Sequence, residues 1–196
     1  MAHSVCGSAQ DYCHSMTSLF GALDNTAIES YADLLFDAWR ENRCVFVFGN
    51  GGSAFTAGHH ALDYIKTAAV PNQHWLKAIS LVDNIGMTTA LGNDLTFDET
   101  FVYPLRALAA PGDIAVAISC SGNSPNVVKA SAWAKDNGMI VVALTGFDGG
   151  RLAHLADIHI HIPSDNYGVV EDIQMSIGHI AAQLLHQRVL ATVVPA

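Results

Sequence analysis

Apolar positions recur at two different spacings along the chain, and the spacing changes near residue 44. Up to residue 23 the apolar residues are scattered but compatible with a helix, and from Ile28 to Trp39 they form one clear helical face. The segment Asp24-Asn25-Thr26 offers side chains that cap a helix N-terminus. The pattern therefore predicts two amphipathic helices that form an N-terminal arm, packed on its own domain or on a partner subunit.

From residue 44 onward, short apolar runs alternate with helical patterns. The runs predict five strands, at 44–48, 76–81, 114–119, 139–144 and 157–162. Helical patterns lie up to about residue 65, over 98–109, after Pro125 and over 169–190. Strands separated by helices indicate an α/β fold with a doubly wound, five-stranded parallel sheet flanked by helices, a flavodoxin-like three-layer sandwich. Because the last run alternates apolar and polar residues, we expect it at a sheet edge.

The length of 196 residues suffices for one domain with a full core, so we expect a single domain over 1–196. Residues 1–43 would form the helical arm, used in packing or oligomerisation, and residues 44–190 the α/β core. Hydrophobic residues make up 51% of the chain and charged residues 14%. This composition favours buried parallel strands and an oligomer that covers further apolar surface.

The charge distribution argues against nucleic acid as a partner. The formal net charge is −9, and the nine Lys and Arg residues form no run that would neutralise a phosphate backbone. Four cysteines without CxxC spacing predict reduced thiols. Because we find no basic flank before an apolar run, and no apolar stretch near the roughly 20 residues that span a bilayer, we expect a cytoplasmic protein without a membrane partner.

Two polar loops each follow a predicted strand and open a helix. The first is GNGGS at 49–53, where glycines allow the backbone to approach a ligand. The second, at 119–126, contains three serines within six residues at a helix N-terminus, which suits a phosphate. A simple tight turn would explain the first loop, and N-capping of a helix would explain the second. Both loops, however, lie at equivalent positions between a strand and a helix, which favours a binding site. Neither loop has the GxGxxG pattern or the P-loop lysine, so we expect no nucleotide cofactor.

The order of these motifs resembles the sugar-isomerase (SIS) domain of the phosphoheptose isomerases over roughly residues 25–190. The matching segments are GNGGS after CVFVF, GND at 92–94, the serine loop from 119, TGFDGG at 145–150 and EDIQMSIGH at 171–179. The resemblance implies a phosphorylated sugar whose phosphate is bound by Ser119, Ser121, Ser124 and the backbone of Cys120, where the family has Thr. It implies further sugar contacts from Asn50, Gly51, Gly52, Ser53, Asn93, Asp94 and Glu171. Turn capping is an equally open interpretation of Asn93 and Asp94.

Acid–base and metal candidates lie on two predicted helices. His59 and Asp63 are four residues apart on one helix face, and Glu171 and His179 are eight apart on another. The resemblance implies that these four residues surround one divalent metal ion, with Asp63 in place of the family's Glu and Glu171 in place of its Gln. Two imidazoles and two carboxylates suit Zn²⁺ best. For His59, a metal ligand and an ordinary surface group remain equally open.

The resemblance implies an aldose–ketose isomerase that converts sedoheptulose 7-phosphate to D-glycero-D-manno-heptose 7-phosphate through an enediol. We expect Asp63 and His179 to exchange the protons, one of them reaching across a subunit interface of a homotetramer or dimer. Thr67 and Gly168 depart from the family's Arg and Asp, which leaves the exact sugar open.

Three alternatives are an isomerase of another ketose phosphate, a non-catalytic phosphosugar-binding regulator, and a scaffold that binds a replication initiator protein. The presence of Asp63 and His179 favours an enzyme.

Overall fold

Five short parallel strands form the sheet of the computed structural model, which describes residues 4–193. The strands are β1 (Cys44–Gly49), β2 (Lys77–Ser80), β3 (Ile114–Ser119), β4 (Ile140–Thr145) and β5 (Ile158–His161). They pair in the order β2-β1-β3-β4-β5, so the chain reverses direction across the sheet after β2. This is a doubly wound sheet of the flavodoxin-like type. The predicted fold class is confirmed, and β5 lies at an edge as expected.

Helices surround the sheet and begin where the local sequence provides a start signal. They are α1 (Ala9–Ala22), α2 (Asn25–Arg40), α3 (Gly52–Ile65), α4 (Ile85–Asp94), α5 (Val102–Leu108), α6 (Pro125–Asp136), α7 (Leu152–Leu155) and α8 (Tyr167–Val193), with a 3₁₀ turn at Phe97–Glu99. Asp24 caps α2 as predicted, because its Oδ1 accepts hydrogen bonds from the backbone N–H groups of Thr26 and Ala27 at 2.9 and 3.1 Å. Pro125 occupies the first turn of α6, which is also as predicted.

The prediction of the segment between β2 and β3 was partly wrong. The spacing of apolar residues did not predict α4, because this helix contains two glycines and buries only Leu91. The helix expected over 98–109 is instead the 3₁₀ turn followed by α5.

Two hydrophobic cores lie on opposite faces of the sheet, because alternate side chains of a strand point to opposite sides. Val45 and Val47 belong to the core that α2, α3 and α8 cover, whereas Phe46 and Phe48 belong to the core that α5 and α6 cover. The three layers expected from the sequence are therefore present.

The N-terminal arm packs on its own domain. In α2, the side chains of Ile28, Tyr31 and Leu35 are buried in the core that includes α8. α1 buries no residue fully, although the Tyr12 hydroxyl donates a 2.6 Å hydrogen bond to Asp172 on α8. None of the helices within residues 4–193 combines the length and apolar character needed to cross a bilayer.

Candidate active site

The two polar loops meet because β1 and β3 are neighbours in the sheet, with Gly49 paired to Ile118. Ligands of open α/β sheets bind at the carboxyl ends of such strands. A cavity of about 260 Å³ lies here. It is lined by Asn50, Gly51, Gly52, Ser53, Ser119, Cys120, Ser121, Ser124, Tyr167 and Glu171. All the predicted substrate-binding residues except Asn93 and Asp94 therefore line one cavity, and Tyr167 joins them.

The serine loop presents hydroxyl groups at the N-terminus of α6. Ser124 is the N-cap residue, yet within the described chain its side chain makes no capping hydrogen bond. Its Oγ lies 3.5 Å from the Oγ of Ser119. The simple N-capping interpretation therefore does not account for Ser124. The hydroxyls and the positive end of the helix together suit an anion such as phosphate.

Asn126 connects the two loops and was not among the predicted site residues. Its side chain and that of Asn50 exchange two hydrogen bonds, of 2.8 and 2.9 Å, and its Nδ2 also donates to Thr100 Oγ1 at 2.9 Å. Asn126 is almost completely buried. Because the side chains of Asn50, Asn126 and Thr100 are hydrogen-bonded in one network, the network fixes the position of Asn50 at the cavity wall. The sequence signal was present, since Asn126 follows Pro125 directly in the serine loop.

Glu171 lies against the N-terminus of α3. A Cβ atom added at Gly52 would collide with the Glu171 carboxylate at 2.3 Å, so only glycine allows this approach. Burial, followed by the nearby charge of Asp172, raises the pKa of Glu171 above its ordinary value. Burial also raises the pKa of the neighbouring Cys120 to about 12. Cys120 is therefore a neutral thiol at physiological pH.

A second group of polar side chains forms where α3 crosses α8. His179 Nδ1 donates to Asp63 Oδ2 at 2.9 Å, His59 Nε2 lies 3.5 Å from the same oxygen, and Thr67 Oγ1 donates to Asp63 Oδ1 at 2.6 Å. Asp63 is buried, whereas the two imidazole side chains are more than 40% exposed. Asp63 and His179 thus meet within one chain. This contact needs no second subunit, and the expectation that one of the two residues reaches across an interface of the assembled protein stays a prediction.

The same group has the donor atoms of a metal site. One ligand atom each from His59, Asp63 and His179 lies within 4.8 Å of the others. Around a tetrahedral zinc ion with bonds of about 2.0 Å, ligand atoms are roughly 3.3 Å apart. The separations of 2.9 and 3.5 Å from Asp63 fit that value. The donor set of two imidazoles and one carboxylate also leaves a fourth position open, as catalytic zinc sites do.

Two predicted assignments do not agree with this geometry. Glu171 is not part of the His59–Asp63–His179 group, because eight residues of helix place it about 12 Å along α8 from His179. Asn93 and Asp94 form the exposed last turn of α4, where Asn93 Nδ2 donates to Asp94 Oδ1 at 2.7 Å. Within the described chain they do not line the cavity at the serine loop.

Fold and cavity define an α/β protein with a polar cavity at the carboxyl ends of β1 and β3. The sequence model of the SIS domain family matches residues 11–146. A phosphoheptose isomerase from Geobacter sp. (strain M21) is 36% identical over 187 residues, which cover 95% of this chain and 96% of the relative. Structures of phosphoheptose isomerases from Neisseria gonorrhoeae and Francisella tularensis superpose with TM-scores of 0.83 and 0.84. Each is 29% identical, over 91% of this chain and 94% of the other.

The chain therefore belongs to the SIS-domain family and, within it, to the phosphoheptose isomerases.

Proposed function

We propose that this protein is an aldose–ketose isomerase that converts sedoheptulose 7-phosphate to D-glycero-D-manno-heptose 7-phosphate. The observation that carries the proposal is the placement of two different sites along α8. Near its N-terminal end, Glu171 joins the serine loop in a cavity suited to phosphate. Further along, His179 meets the buried carboxylate of Asp63.

The distance between the two sites supports a long sugar phosphate. Glu171 and His179 are about 12 Å apart along the helix axis. An extended seven-carbon chain with its phosphate ester reaches roughly 10 Å, given carbon–carbon bonds of about 1.5 Å. A phosphate bound at Ser119, Ser121 and Ser124 therefore leaves C1 and C2 within reach of the side chains at the α3–α8 crossing.

The reaction needs proton transfers at two carbon atoms and at two oxygen atoms. A base removes a proton from C1 of the ketose to form the enediol, and a proton is delivered to C2 of the aldose. In the same sequence the C2 carbonyl gains a proton and the C1 hydroxyl loses one. Carboxylate and imidazole groups suit both transfers near neutral pH. We assign these transfers to the hydrogen-bonded pair of Asp63 and His179, with Thr67 orienting the carboxylate.

A divalent metal ion, Zn²⁺ as first choice, would be held by His59, Asp63 and His179, and it would replace the proton between His179 Nδ1 and Asp63 Oδ2. When bound, such an ion polarises a carbonyl oxygen and stabilises negative charge on it. The residues themselves supply the remaining chemistry: the serine loop binds the phosphate, and Glu171 offers a hydrogen-bonding carboxyl group to sugar hydroxyls.

We also propose that the chain acts as a single SIS domain in a homotetramer or dimer. The exposure of His59 and His179 supports sites that a neighbouring subunit covers. The arm at 1–43 would supply part of the contact, through the incompletely covered helix α1. The cytoplasmic location, and the lack of nucleic-acid and membrane partners, remain predictions from the sequence.

Proton exchange with solvent tests the activity. The protein is mixed with sedoheptulose 7-phosphate in D₂O, and NMR follows the C1 protons of the ketose and the new C1 proton of the aldose. We expect loss of the ketose C1 signal and deuterium at C2 of the product. Fructose 6-phosphate and ribulose 5-phosphate, run in parallel, test the alternative substrates. Binding of the heptose phosphate without exchange would contradict an enzyme and support a sensor.

Calorimetric titration with Zn²⁺ tests the metal site without measuring turnover. We expect one site per chain in the wild-type protein and at least about tenfold weaker binding in His59→Ala, because one of three ligands is lost. His154→Ala is the matched control, since His154 is exposed on α7. Equal affinity in all three proteins would contradict the assignment.

A further inference from the structure

A buried chain of hydrogen bonds connects three helices directly behind the α3–α8 crossing. Tyr31 on α2 and Tyr64 on α3 have their hydroxyl oxygens 2.5 Å apart. The Tyr64 hydroxyl lies 3.4 Å from His60 Nδ1, and His60 Nε2 lies 3.0 Å from the backbone oxygen of Gln174 on α8. Tyr31, His60 and Tyr64 are each completely buried.

The hydrogen-bond network assigns the proton on the imidazole. Because the Gln174 carbonyl can only accept, His60 Nε2 carries the proton and donates it. His60 Nδ1 then accepts from Tyr64, and Tyr64 accepts from Tyr31. Every group in the chain is satisfied with a neutral imidazole, so His60 forms a side-chain bridge from α3 to the backbone of α8.

The bridge also requires a close approach of the two helices. A Cβ atom added at Gly178 would lie 2.1 Å from Cδ2 and Nε2 of His60. The imidazole therefore occupies the space that any larger residue at 178 would fill. Since the ring is fully buried and bonded at both nitrogens, it has no room to move aside.

The bridge is adjacent in sequence to the proposed catalytic contact on both helices. His60 follows His59 and precedes Asp63 by three residues, and Gly178 immediately precedes His179. A shift of either helix by one residue moves its side chains by about 1.5 Å and 100°. The 2.9 Å contact between Asp63 and His179 therefore depends on the spacing and register of α3 against α8.

From this placement we infer that His60 is a positioning residue. It fixes the crossing of α3 and α8 through the Gln174 carbonyl and the space at Gly178, and so holds Asp63 against His179. As far as it concerns turnover, this inference rests on the proposed function.

Two amide substitutions at position 60 form a matched pair for the test. The terminal amide of His60→Gln reaches the place of Nε2 and keeps the donor to the Gln174 carbonyl. The shorter amide of His60→Asn reaches only the position of Nδ1, so the hydrogen bond to the Gln174 carbonyl is lost. Gly178→Ala attacks the same contact from α8. Tyr31→Phe is the control. It removes a buried hydroxyl of the same series of hydrogen bonds, but Tyr31 is on α2 and does not lie between α3 and α8.

Turnover, KM and thermal stability are measured for each variant well below its Tm. His60→Asn and Gly178→Ala should lower kcat about 10- to 100-fold, as expected for a displacement near 1 Å at the reacting groups. Their KM should stay within about threefold, because the serine loop is untouched. His60→Gln should recover most of kcat. Tyr31→Phe should lower Tm while leaving kcat within about twofold.

The inference is overturned if His60→Asn keeps the kcat of His60→Gln, or if Tyr31→Phe lowers kcat as much as His60→Asn does. Should Gly178→Ala fail to fold, the Asn and Gln pair still decides the question.

Crystal structures of the variants give a readout that does not depend on the reaction. The distance from Asp63 Oδ2 to His179 Nδ1 is 2.9 Å here and should exceed about 3.5 Å, the limit of a hydrogen bond, in His60→Asn. It should remain unchanged in His60→Gln and Tyr31→Phe. If the wild-type protein shows no isomerisation but this distance responds as stated, the proposed function fails and the positioning role stands. If the wild-type protein is active but His60→Asn shows an unchanged distance and an unchanged kcat, the positioning role alone is contradicted.

Discussion

The serine loop and the His59–Asp63–His179 group are both polar sites on one domain, but they are assembled in different ways. The serine loop comes from consecutive residues between β3 and α6, so strand and helix together determine its shape. The Asp63–His179 contact joins residues 116 positions apart in sequence, on two helices that meet only through packing. One site is local, and the other depends on how two helices cross.

The difference predicts how each site responds to change. Hydroxyls at a helix N-terminus act largely independently, so each loss should weaken binding without disturbing the reaction. The helix-crossing site should respond sharply even to changes at residues that never contact substrate, since small displacements there separate the reacting groups. The following predictions test this contrast between a proposed binding site and a proposed reacting site.

Loss of either member of the reacting pair should have the largest effect. We expect Asp63→Asn and His179→Ala each to lower kcat at least about 100-fold, because general acid–base catalysis contributes about that much. Steady-state kinetics with sedoheptulose 7-phosphate measures the change. Asp136→Asn at the exposed end of α6 and the exposed His154→Ala are the matched controls and should retain wild-type rates. A near-normal rate in Asp63→Asn or His179→Ala would show that the reacting groups lie elsewhere.

Removal of two serine hydroxyls should affect binding more than turnover. The double variant Ser119→Ala/Ser124→Ala should raise KM at least about 100-fold, since two hydrogen bonds to a charged group contribute about 1.5–3 kcal/mol each. We expect kcat to change by less than about threefold. Ser176→Ala, which removes a hydroxyl that donates to the backbone oxygen of Asp172 within α8, is the control. A fall in kcat with unchanged KM would mean that the loop takes part in the reaction rather than in binding.

The hydrogen bond from Thr67 to Asp63 offers a smaller, graded test of the reacting site. Thr67→Val keeps the shape of the side chain but removes the donor to Asp63 Oδ1. We expect kcat to fall about 3- to 10-fold, which corresponds to the loss of about 1 kcal/mol for one hydrogen bond. Thr89→Val on α4 serves as the control, because the Thr89 hydroxyl donates to backbone oxygens of its own helix. A wild-type kcat in Thr67→Val would mean that the carboxylate needs no such support.

The last prediction concerns how the stability of the folded protein depends on pH, and not its turnover. Burial lowers the pKa of His60 from 6.5 to about 4, so the folded protein excludes a proton that the unfolded chain binds below pH 6.5. The free energy of unfolding should therefore fall as the pH drops from 6.5 toward 4, by about 2 kcal/mol between pH 7 and pH 5 from this group.

Urea unfolding of the wild-type protein and of His60→Gln at both pH values isolates the contribution of His60. The other histidines titrate in both proteins, so their effects cancel in the difference. Equal losses of stability in the two proteins would contradict a neutral, buried imidazole.

Much of the fold could be predicted from local patterns. Each strand is a short apolar run, and the helices that bury a broad face, such as α2 and α8, show a helical period or a long apolar segment. The order of strands in the sheet was also within reach, because parallel strands joined by helices permit few arrangements. In contrast, α4 was missed because it packs weakly and contains Gly86 and Gly92, so neither its pattern nor its propensity indicates a helix.

Individual residues of the candidate site could be predicted, but which of them lie together could not. Helical spacing placed His59 near Asp63 and aligned Glu171 with His179, yet it could not show that of these two only His179 joins the group around Asp63. The role of His60 was also missed, since an isolated histidine in a helix gives no sign of what lies opposite. Gly178 gave no sign either, because the space that its missing side chain leaves is visible only once α3 is in place.

The amino-acid sequence by itself determined the α/β class, the parallel sheet and the serine loop at the start of α6. These features follow from the period of apolar residues and from turn chemistry, which act over a few positions. Tertiary structure alone decided that Asp63 meets His179 within one chain, that Glu171 belongs with the serine loop, and that His60 fills the space beside Gly178. The physical reason is that close packing of distant helices sets their crossing to within a fraction of an ångström, and no local pattern carries that information.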